Sequence, residues 1–169
     1  FEIFFKSIKT KKFTSPLILI FNKNILKKEI KKYKFFKKIE SINYIKISNK
    51  KIRKKNIYFI DIKNSSSKDY IHKCFKVAFH IIKLGLTNKL INGPINKSKT
   101  LKRKYPGMTE YVSKKFNQKK FAMLIYNKKL SVSPVTTHLP LKMVTKKITK
   151  KLIIEKIMII NKFYNQKLG

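Results

Sequence analysis

The chain has 169 residues, of which 43% are hydrophobic, so it can bury a core and is not expected to stay disordered. It carries 43 Lys and Arg against 7 Asp and Glu, a net charge of +36, which by itself favours a polyanionic partner such as nucleic acid. Only Arg53 and Arg103 are arginines, and the lysines are spread along the whole chain, so solvated lysine faces explain the charge better.

The number of cysteines and the lengths of the apolar runs indicate the cellular compartment of the protein. Cys74 is the single cysteine, so no disulfide can form within the chain, and its helical context predicts a partly buried structural thiol. The longest apolar runs are too short to span a bilayer, and the first residues do not resemble a signal peptide. We therefore expect a cytoplasmic protein without membrane contacts. The start at Phe1 and the end directly after a helical pattern predict a fragment truncated at both ends.

Helix-like and strand-like segments alternate along the first part of the chain. The predicted elements are a helix at 2–9, a buried strand at 16–21, a helix capped by Asn24 that runs to about 37 and buries Phe36 on its apolar side, and strands at 42–47 and 57–62. A loop at 64–67, with Ser67 as the cap, leads into an amphipathic helix at 70–84 that stops at Gly85.

The second part continues the alternation. The predicted elements are a short strand at 89–92, a helix at 109–116, strands at 121–126 and 130–135 joined by a tight turn, a helix opened by Pro140, and a helix at 149–164. Alternating strands and helices predict an α/β fold with a largely parallel sheet. The polar stretch at 99–104 suggests a domain boundary.

His138 is the best candidate for a ligand group. It follows a predicted strand and precedes Pro140, a position where open α/β sheets bind ligands. The positive end of the following helix favours neutral imidazole, which is the form that binds a metal. A lone histidine is more often a packing or capping residue. His72 and His80 share one helix face without the spacing of a chelating pair, and both are interpreted as structural.

Two other segments could contact an anionic ligand. Asn96 and Lys97 follow a Gly-Pro turn, and Lys97 could place a point charge near a phosphorylated ligand. Thr109 begins a predicted helix, where its hydroxyl could cap the helix or face a ligand. Each segment alone is typical of an ordinary turn or cap. The chain contains no Gly-x-Gly-x-x-Gly, P-loop or Gly-x-Ser-x-Gly pattern.

Three blocks stand out at 92–97 (Asn-Gly-Pro-Ile-Asn-Lys), 105–111 (Tyr-Pro-Gly-Met-Thr-Glu-Tyr) and 136–141 (Thr-Thr-His-Leu-Pro-Leu). Together they resemble the signature of the 4-hydroxythreonine-4-phosphate dehydrogenase family. The family carries Gly-Pro-Ile/Val-Asn/His-Lys, then Phe-x-Gly-His-Thr-Glu, then Thr-Thr-His-Leu-Pro-Leu, in the same order and with similar spacing. The strong resemblance covers residues 89–141, and elsewhere only the order of elements matches.

The resemblance implies a fold like that of isocitrate and isopropylmalate dehydrogenases, with two α/β domains, flanking helices and a homodimer that shares its sites. Residues 1–104 would be the first α/β domain without its N-terminal strand, and 105–169 the start of a truncated second domain. The implied activity is NAD- or NADP-dependent oxidation of 4-phosphooxy-L-threonine to a 3-oxo acid. This acid decarboxylates to 3-amino-2-oxopropyl phosphate for pyridoxal phosphate synthesis, with a divalent metal such as Zn, Mg or Co as Lewis acid.

The same resemblance assigns roles to individual residues. His138 aligns with the first of three metal-ligand histidines, Thr109 with a substrate-binding threonine, and Lys97 is a further candidate for the substrate. Met108 stands where the family has a substrate-binding histidine, and a thioether can neither donate a hydrogen bond nor carry charge. No catalytic or cofactor-binding residue is assigned.

The remaining metal ligands and most of the cofactor region would lie beyond this chain, so we expect the fragment alone to be inactive. Two alternatives stay open. The chain could be a basic nucleic-acid-binding module, or it could be a degenerate, non-catalytic relative of the family.

Overall fold

The computed structural model describes residues 2–49, 52–63, 69–101 and 104–167. Contacts divide the chain into two compact units, Phe1–Pro94 (unit 1) and Ile95–Gly169 (unit 2). The predicted limits of two α/β domains, with a boundary after residue 104, concern the complete fold and stay a prediction.

Unit 1 contains a three-stranded parallel sheet with flanking helices. The strands are β1 at Leu17–Phe21, β2 at Ile39–Ser41 and β3 at Ile57–Asp61, in the order β1-β3-β2. The helices are α1 at Glu2–Thr10, α2 at Lys23–Lys32 and α3 at Tyr70–Lys83. Both outer strands run parallel to β3. The predicted α/β class with a parallel sheet and flanking helices is therefore confirmed.

The central strand β3 is buried on both faces. Tyr58 and Ile60 belong to a core cluster with α3, whereas Ile57 and Phe59 belong to a second cluster with α1 and α2. Successive residues of a strand point to opposite faces of the sheet, so this burial requires apolar cover on both sides. The strand predicted at 57–62 is confirmed, but its burial is continuous, as is typical of parallel sheets.

Helix α2 begins at a different cap from the predicted one. The side-chain Oδ1 of Asn22, not Asn24, accepts the backbone N–H groups of Asn24 and Ile25, at 3.0 and 3.3 Å. The Nδ2 of Asn22 also donates to the Ile62 carbonyl at 3.2 Å, and the side chain is buried. Asn22 follows β1 directly, so the cap lies at the carboxyl end of the sheet.

The end of α2 also differs from the prediction. The helix ends at Lys32 and does not continue to 37, because Lys34 adopts a left-handed backbone with φ 47°. The reversal buries Phe35, whose ring centroid lies 4.9 Å from that of Phe5. Phe36, predicted on the apolar side of the helix, is instead 91% exposed.

The strand predicted at 42–47 is wrong, because the chain forms a 3-10 helix at Tyr44–Asn49. The side chain of Asn43 accepts the N–H of Ile45 at 2.9 Å, and its carbonyl accepts the N–H of Lys46 at 3.2 Å. Such local bonds offer the backbone an alternative to a sheet ladder. Ile47 is still buried in the cluster with α3.

Helix α3 is confirmed and ends as predicted, with Gly85 in the left-handed region at φ 74°. The predicted loop at 64–67 and its cap Ser67 lie outside the described residues. The strand predicted at 89–92 is wrong, because these residues are irregular and no strand in the described ranges pairs with them. Ile91 is fully exposed there, so no sheet face covers it.

Unit 2 is mainly helical in its described residues. Its helices are α4 at Lys97–Leu101, α5 at Met108–Lys115, α6 at Leu141–Lys147 and α7 at Lys150–Lys167. The helices predicted at 109–116, after Pro140 and at 149–164 are confirmed. Across the described parts of the chain, every helix is too short or too polar to cross a membrane.

The two strands predicted at 121–126 and 130–135 are reduced to one antiparallel bridge between Ile125 and Val132. Ser131 closes the tight turn, because its hydroxyl donates to the Asn127 carbonyl at 3.0 Å. Ile125 and Val132 are both exposed. An isolated two-stranded hairpin is marginally stable, which agrees with the absence of full strands here. Residues 121–135 are called the hairpin below.

Candidate functional site

A cleft of about 360 Å³ lies within unit 2. The four residues predicted for the site all line it: Lys97 from the start of α4, Met108 and Thr109 from the start of α5, and His138 from the segment before α6. These residues come from three separate sequence blocks, so only the folded chain brings them together. The cleft also receives Met123 and Pro134 from the two arms of the hairpin.

The start of α4 explains what Asn96 does. Its side-chain Oδ1 accepts the N–H of Lys99 at 3.0 Å and the hydroxyl of Ser98 at 2.8 Å. Asn96 therefore caps α4, and its amide oxygen is engaged within the chain. Lys97 is exposed beside it and is the cationic group of the cleft.

Helix α5 begins without a side-chain cap. Gly107 is its N-cap residue, with an extended backbone at φ −155° and no side chain that could accept from the helix. The first N–H groups of a helix have no partner within the helix, and they give its N-terminus a partial positive charge. Met108, Thr109 and the acidic Glu110 occupy this first turn, so its free N–H groups can bind an anion while the Glu110 carboxylate offsets part of the positive charge.

The segment from Thr136 to His138, called the strap, runs past the start of α5. His138 is exposed and adopts a left-handed backbone with φ 54°. Histidine is among the residues that enter this region more readily than most, although it costs about 1–3 kcal/mol. The strap leads through Pro140 into α6. The predicted strand-to-helix junction is thus half right, because a helix follows but no strand immediately precedes.

Glu110 links α5 to the strap. The Thr137 hydroxyl donates to Glu110 Oε1 at 2.9 Å. The second carboxylate oxygen, Oε2, is buried and has no hydrogen-bond partner among the described residues. Glu110 was not predicted as a site residue, because an acidic residue in the first turn of a helix is ordinary. Its place in the same block as Met108 and Thr109 was the available signal.

Gly107 leaves room for two polar atoms. A Cβ built on Gly107 would lie 2.7 Å from Glu110 Oε2 and 2.8 Å from His138 Nε2. Real side chains do not approach a Cβ so closely, so a side chain at this position would displace one of the two groups. The carboxylate and the imidazole therefore converge on one point beside the Gly107 backbone.

Helix α7 holds the hairpin that forms part of the cleft wall. Lys156 Nζ donates to the Phe121 carbonyl at 2.5 Å and lies 4.9 Å from the centroid of the Phe121 ring. Across the hairpin, the Ser133 hydroxyl donates to the Met123 carbonyl at 2.7 Å. These contacts hold the hairpin in place, and its residues Met123 and Pro134 form apolar parts of the cleft wall.

His138 fits a divalent cation in part. Imidazole nitrogen is a common ligand of zinc and related metals, and the buried, unpartnered Glu110 Oε2 near the His138 ring is the kind of group that accepts the second ring N–H of a metal-binding histidine. No group of three His, Cys, Asp or Glu that could hold a metal occurs within residues 2–49, 52–63, 69–101 and 104–167. Catalytic zinc sites use three protein ligands, so His138 requires further donors.

The other candidate ligand residues lie in unit 1 and have structural surroundings. The ring of His80 packs edge-on against Tyr44, with centroids 6.1 Å apart. Cys74 is partly buried, and this burial raises the pKa of its thiol, although a hydrogen bond from Tyr70 lowers it somewhat. A raised thiol pKa leaves less thiolate at neutral pH, which agrees with a structural role.

Comparison with solved structures identifies the fold. The structure matches a crystal structure of 4-hydroxythreonine-4-phosphate dehydrogenase from Klebsiella pneumoniae with a TM-score of 0.70. The match has 19% sequence identity and covers 90% of this chain and 50% of that one. At this identity the likeness shows the fold alone, an α/β architecture.

The family model described as "Pyridoxal phosphate biosynthetic protein PdxA" matches residues 12–169, so the chain belongs to the PdxA family. The resemblance inferred from the three sequence blocks is thereby confirmed.

Two curated relatives, both named 4-hydroxythreonine-4-phosphate dehydrogenase, are similar to this chain. The protein from Sulfurihydrogenibium sp. is 36% identical over an alignment of 139 residues, and the match covers 79% of this chain and 42% of that protein. The protein from Aquifex aeolicus is 30% identical over an alignment of 139 residues, and the match covers 75% of this chain and 43% of that protein. The chain thus spans less than half the length of these relatives.

Proposed function

We propose that the protein is an NAD- or NADP-dependent dehydrogenase of pyridoxal phosphate biosynthesis, acting on 4-phosphooxy-L-threonine. The proposal is supported by membership of the PdxA family and by the names of the curated relatives. The observation that carries it is the convergence of Lys97, Thr109 and His138 on one cleft.

Within this proposal each cleft residue has a distinct task. Lys97 provides positive charge for the phosphate of the substrate, and the free N–H groups at the start of α5 provide hydrogen-bond donors. The Thr109 hydroxyl supplies a hydrogen bond that orients the substrate. His138 is a metal ligand, with Glu110 as the carboxylate beside it. A divalent cation held there would act as a Lewis acid toward the substrate oxygens.

The overall reaction follows from the substrate. The secondary alcohol loses a hydride from carbon to the nicotinamide and a proton from oxygen, which gives a 3-oxo acid. This acid loses CO2 and leaves 3-amino-2-oxopropyl phosphate. In the proposal, this chain binds and orients the phosphorylated substrate, and a homodimer would complete the site.

The test is turnover of 4-phosphooxy-L-threonine by the whole protein with NAD or NADP and Zn, Mg or Co, followed by absorbance of the reduced nicotinamide. We expect metal-dependent turnover that falls by more than about a hundredfold in His138→Ala. Removing a metal ligand should lower the turnover more than removing a residue that only contacts a ligand. His72→Ala, on α3 in unit 1, is the matched control and should turn over like the wild type. Turnover that survives both a chelator and His138→Ala would refute the proposal.

The 169-residue chain alone should give no turnover under the same conditions. Within the described residues the chain contributes His138 as its metal ligand, and one imidazole does not hold a catalytic metal. A non-catalytic relative is the second candidate function, and Met108 favours it because its thioether cannot replace a substrate-binding imidazole. A whole protein that binds metal yet never turns over would support that candidate.

A further inference from the structure

We propose that Glu110 is a positioning residue for His138. One carboxylate oxygen holds the strap through Thr137, and the other is the acceptor for the Nε2–H of the His138 imidazole. This arrangement would fix the ring in the Nε2–H tautomer and leave Nδ1 as the atom with a free lone pair. The inference rests on the proposed function, in which His138 is a metal ligand.

The first step concerns the orientation of the carboxylate. Glu110 Oε1 accepts from the Thr137 hydroxyl at 2.9 Å, which ties the carboxylate to the residue next to His138. With Oε1 engaged, the direction of Oε2 is set by the plane of the carboxylate. Oε2 is then a buried acceptor that has no donor among the described residues. Buried acceptors in folded proteins nearly always accept a hydrogen bond, so we expect a donor close to Oε2.

The second step identifies that donor. The point at which a Cβ of Gly107 would lie is 2.7 Å from Glu110 Oε2 and 2.8 Å from His138 Nε2. The two atoms therefore border the same small space, and in the proposal a rotation of the exposed imidazole brings Nε2–H onto Oε2. Gly107 is the residue that keeps this space open, because any side chain would occupy it.

The third step is chemical. Metal-binding histidines usually donate their second ring N–H to a carboxylate, carbonyl or water, which sets the tautomer and the ring orientation. In neutral imidazole one nitrogen donates while the other accepts or binds a metal. If Nε2–H is donated to Glu110, Nδ1 is the ligand atom. Glu110 thus acts through His138 and through the strap, without contacting the substrate.

The experiment reads the tautomer of His138 directly. Long-range 1H–15N correlation spectra of the 169-residue chain, recorded where the imidazole is neutral, show which ring nitrogen carries the proton. A peptide of residues 135–141 gives the tautomer ratio without Glu110. We expect a larger share of Nε2–H in the chain than in the peptide, and a return to the peptide ratio in Glu110→Ala.

A second variant acts without removing the carboxylate. Gly107→Ala places a methyl group between Oε2 and Nε2, so it should also move the tautomer ratio to that of the peptide. Glu155→Ala on α7 and Gly93→Ala, whose Cβ would have no atom within 4 Å, are the matched controls and should leave the ratio unchanged. Identical ratios in the wild-type chain and the peptide would overturn the proposal, as would an unchanged ratio in both Glu110→Ala and Gly107→Ala.

A zinc titration of the whole protein separates this inference from the proposed function. Glu110→Ala should weaken Zn2+ binding by about 10–100-fold, the usual effect of losing an outer-shell partner. His138→Ala should weaken it further. If His138→Ala leaves Zn2+ affinity unchanged, the proposed metal role of His138 fails. If His138→Ala weakens binding but Glu110→Ala does not, only the positioning role fails.

Discussion

Met108 is the residue at which the chain departs from its family signature, and it lines the cleft beside Thr109. An imidazole there could donate a hydrogen bond or carry charge toward an anionic substrate, which a thioether cannot do. We expect Met108→His in the whole protein to lower KM for the substrate by about tenfold, as one added hydrogen bond to a charged group is worth roughly 1.5–3 kcal/mol. Steady-state kinetics measure this. An unchanged KM would mean that position 108 does not contact the substrate.

Tyr70 connects α3 to the carboxyl end of β1. Its phenol oxygen accepts the backbone N–H of Asn22 at 2.7 Å, in a buried position. Tyr70→Phe removes the acceptor and leaves that N–H without it, which should lower the free energy of unfolding by about 1–3 kcal/mol at neutral pH. Urea denaturation compares the two proteins. A loss below about 0.5 kcal/mol would show that the N–H finds another acceptor.

Ionisation of the Tyr70 phenol should make the free energy of unfolding depend on pH. Burial raises the pKa of Tyr70 to about 12 from its ordinary 10.0. Because the folded-state pKa is the higher one, the contribution of the neutral phenol is complete below pH 10 and is lost as the pH rises toward 12. The stability difference between wild type and Tyr70→Phe should therefore be constant below pH 10 and shrink above it. A difference that stays constant up to pH 12 would contradict the assignment.

Among the secondary-structure elements, helix α2 begins at a different cap in the structure from the one that the local sequence predicts. Sequence favours Asn24 as the cap, whereas the structure uses Asn22, which also bonds to the Ile62 carbonyl. Asn22→Ala should lower the free energy of unfolding by about 1–2 kcal/mol. Asn24→Ala changes an exposed side chain and should stay within about 0.5 kcal/mol. Chemical denaturation of both variants decides between the caps, and the reverse order would restore the sequence prediction.

Competition between local hydrogen bonds and tertiary contacts also decides which other predicted elements form. At 42–47 a local Asn43 bond diverts the chain into a 3-10 helix, and at 121–135 the hairpin forms one bridge between two exposed residues. By contrast, β1, β3 and α3 form as predicted because their apolar patterns coincide with faces that are buried in the fold. Local pattern succeeds where tertiary burial agrees with it.

At the scale of the whole molecule, the two units differ in their cores. Among the described residues, the buried hydrophobic side chains lie in unit 1, apart from Leu101 and Tyr111. Helix α7 exposes Ile157 and Met158. Unit 2 therefore has little apolar burial of its own, although it contains the candidate site.

This contrast predicts unequal local stability. Amides of β1, β3 and α3 should exchange with solvent at least about a hundredfold more slowly than those of α6 and the hairpin, a difference of roughly 3 kcal/mol in opening free energy. Hydrogen exchange followed by mass spectrometry of peptic fragments measures it, with exchange rates corrected for sequence. Equal protection in the two units would show that unit 2 opens only with the rest of the chain.

Much of the candidate site could be predicted from sequence. Lys97, Thr109 and His138 can be found because they belong to three recognisable blocks, in which Gly and Pro residues precede the starts of helices. Glu110 and Gly107 lie in the same blocks but were missed. Their importance depends on where Thr137 and His138 pass in space, and spacing along the chain does not encode that.

Apolar periodicity and short motifs are local properties of the chain, and they suffice to predict the α/β class, the main helices and strands of unit 1 and the membership of the family. The tertiary structure alone decided that Asn22 caps α2, that β3 is buried on both faces, and that Glu110 and His138 meet beside Gly107. Each of these depends on contacts between residues far apart in the chain, and such contacts exist only once the chain has folded.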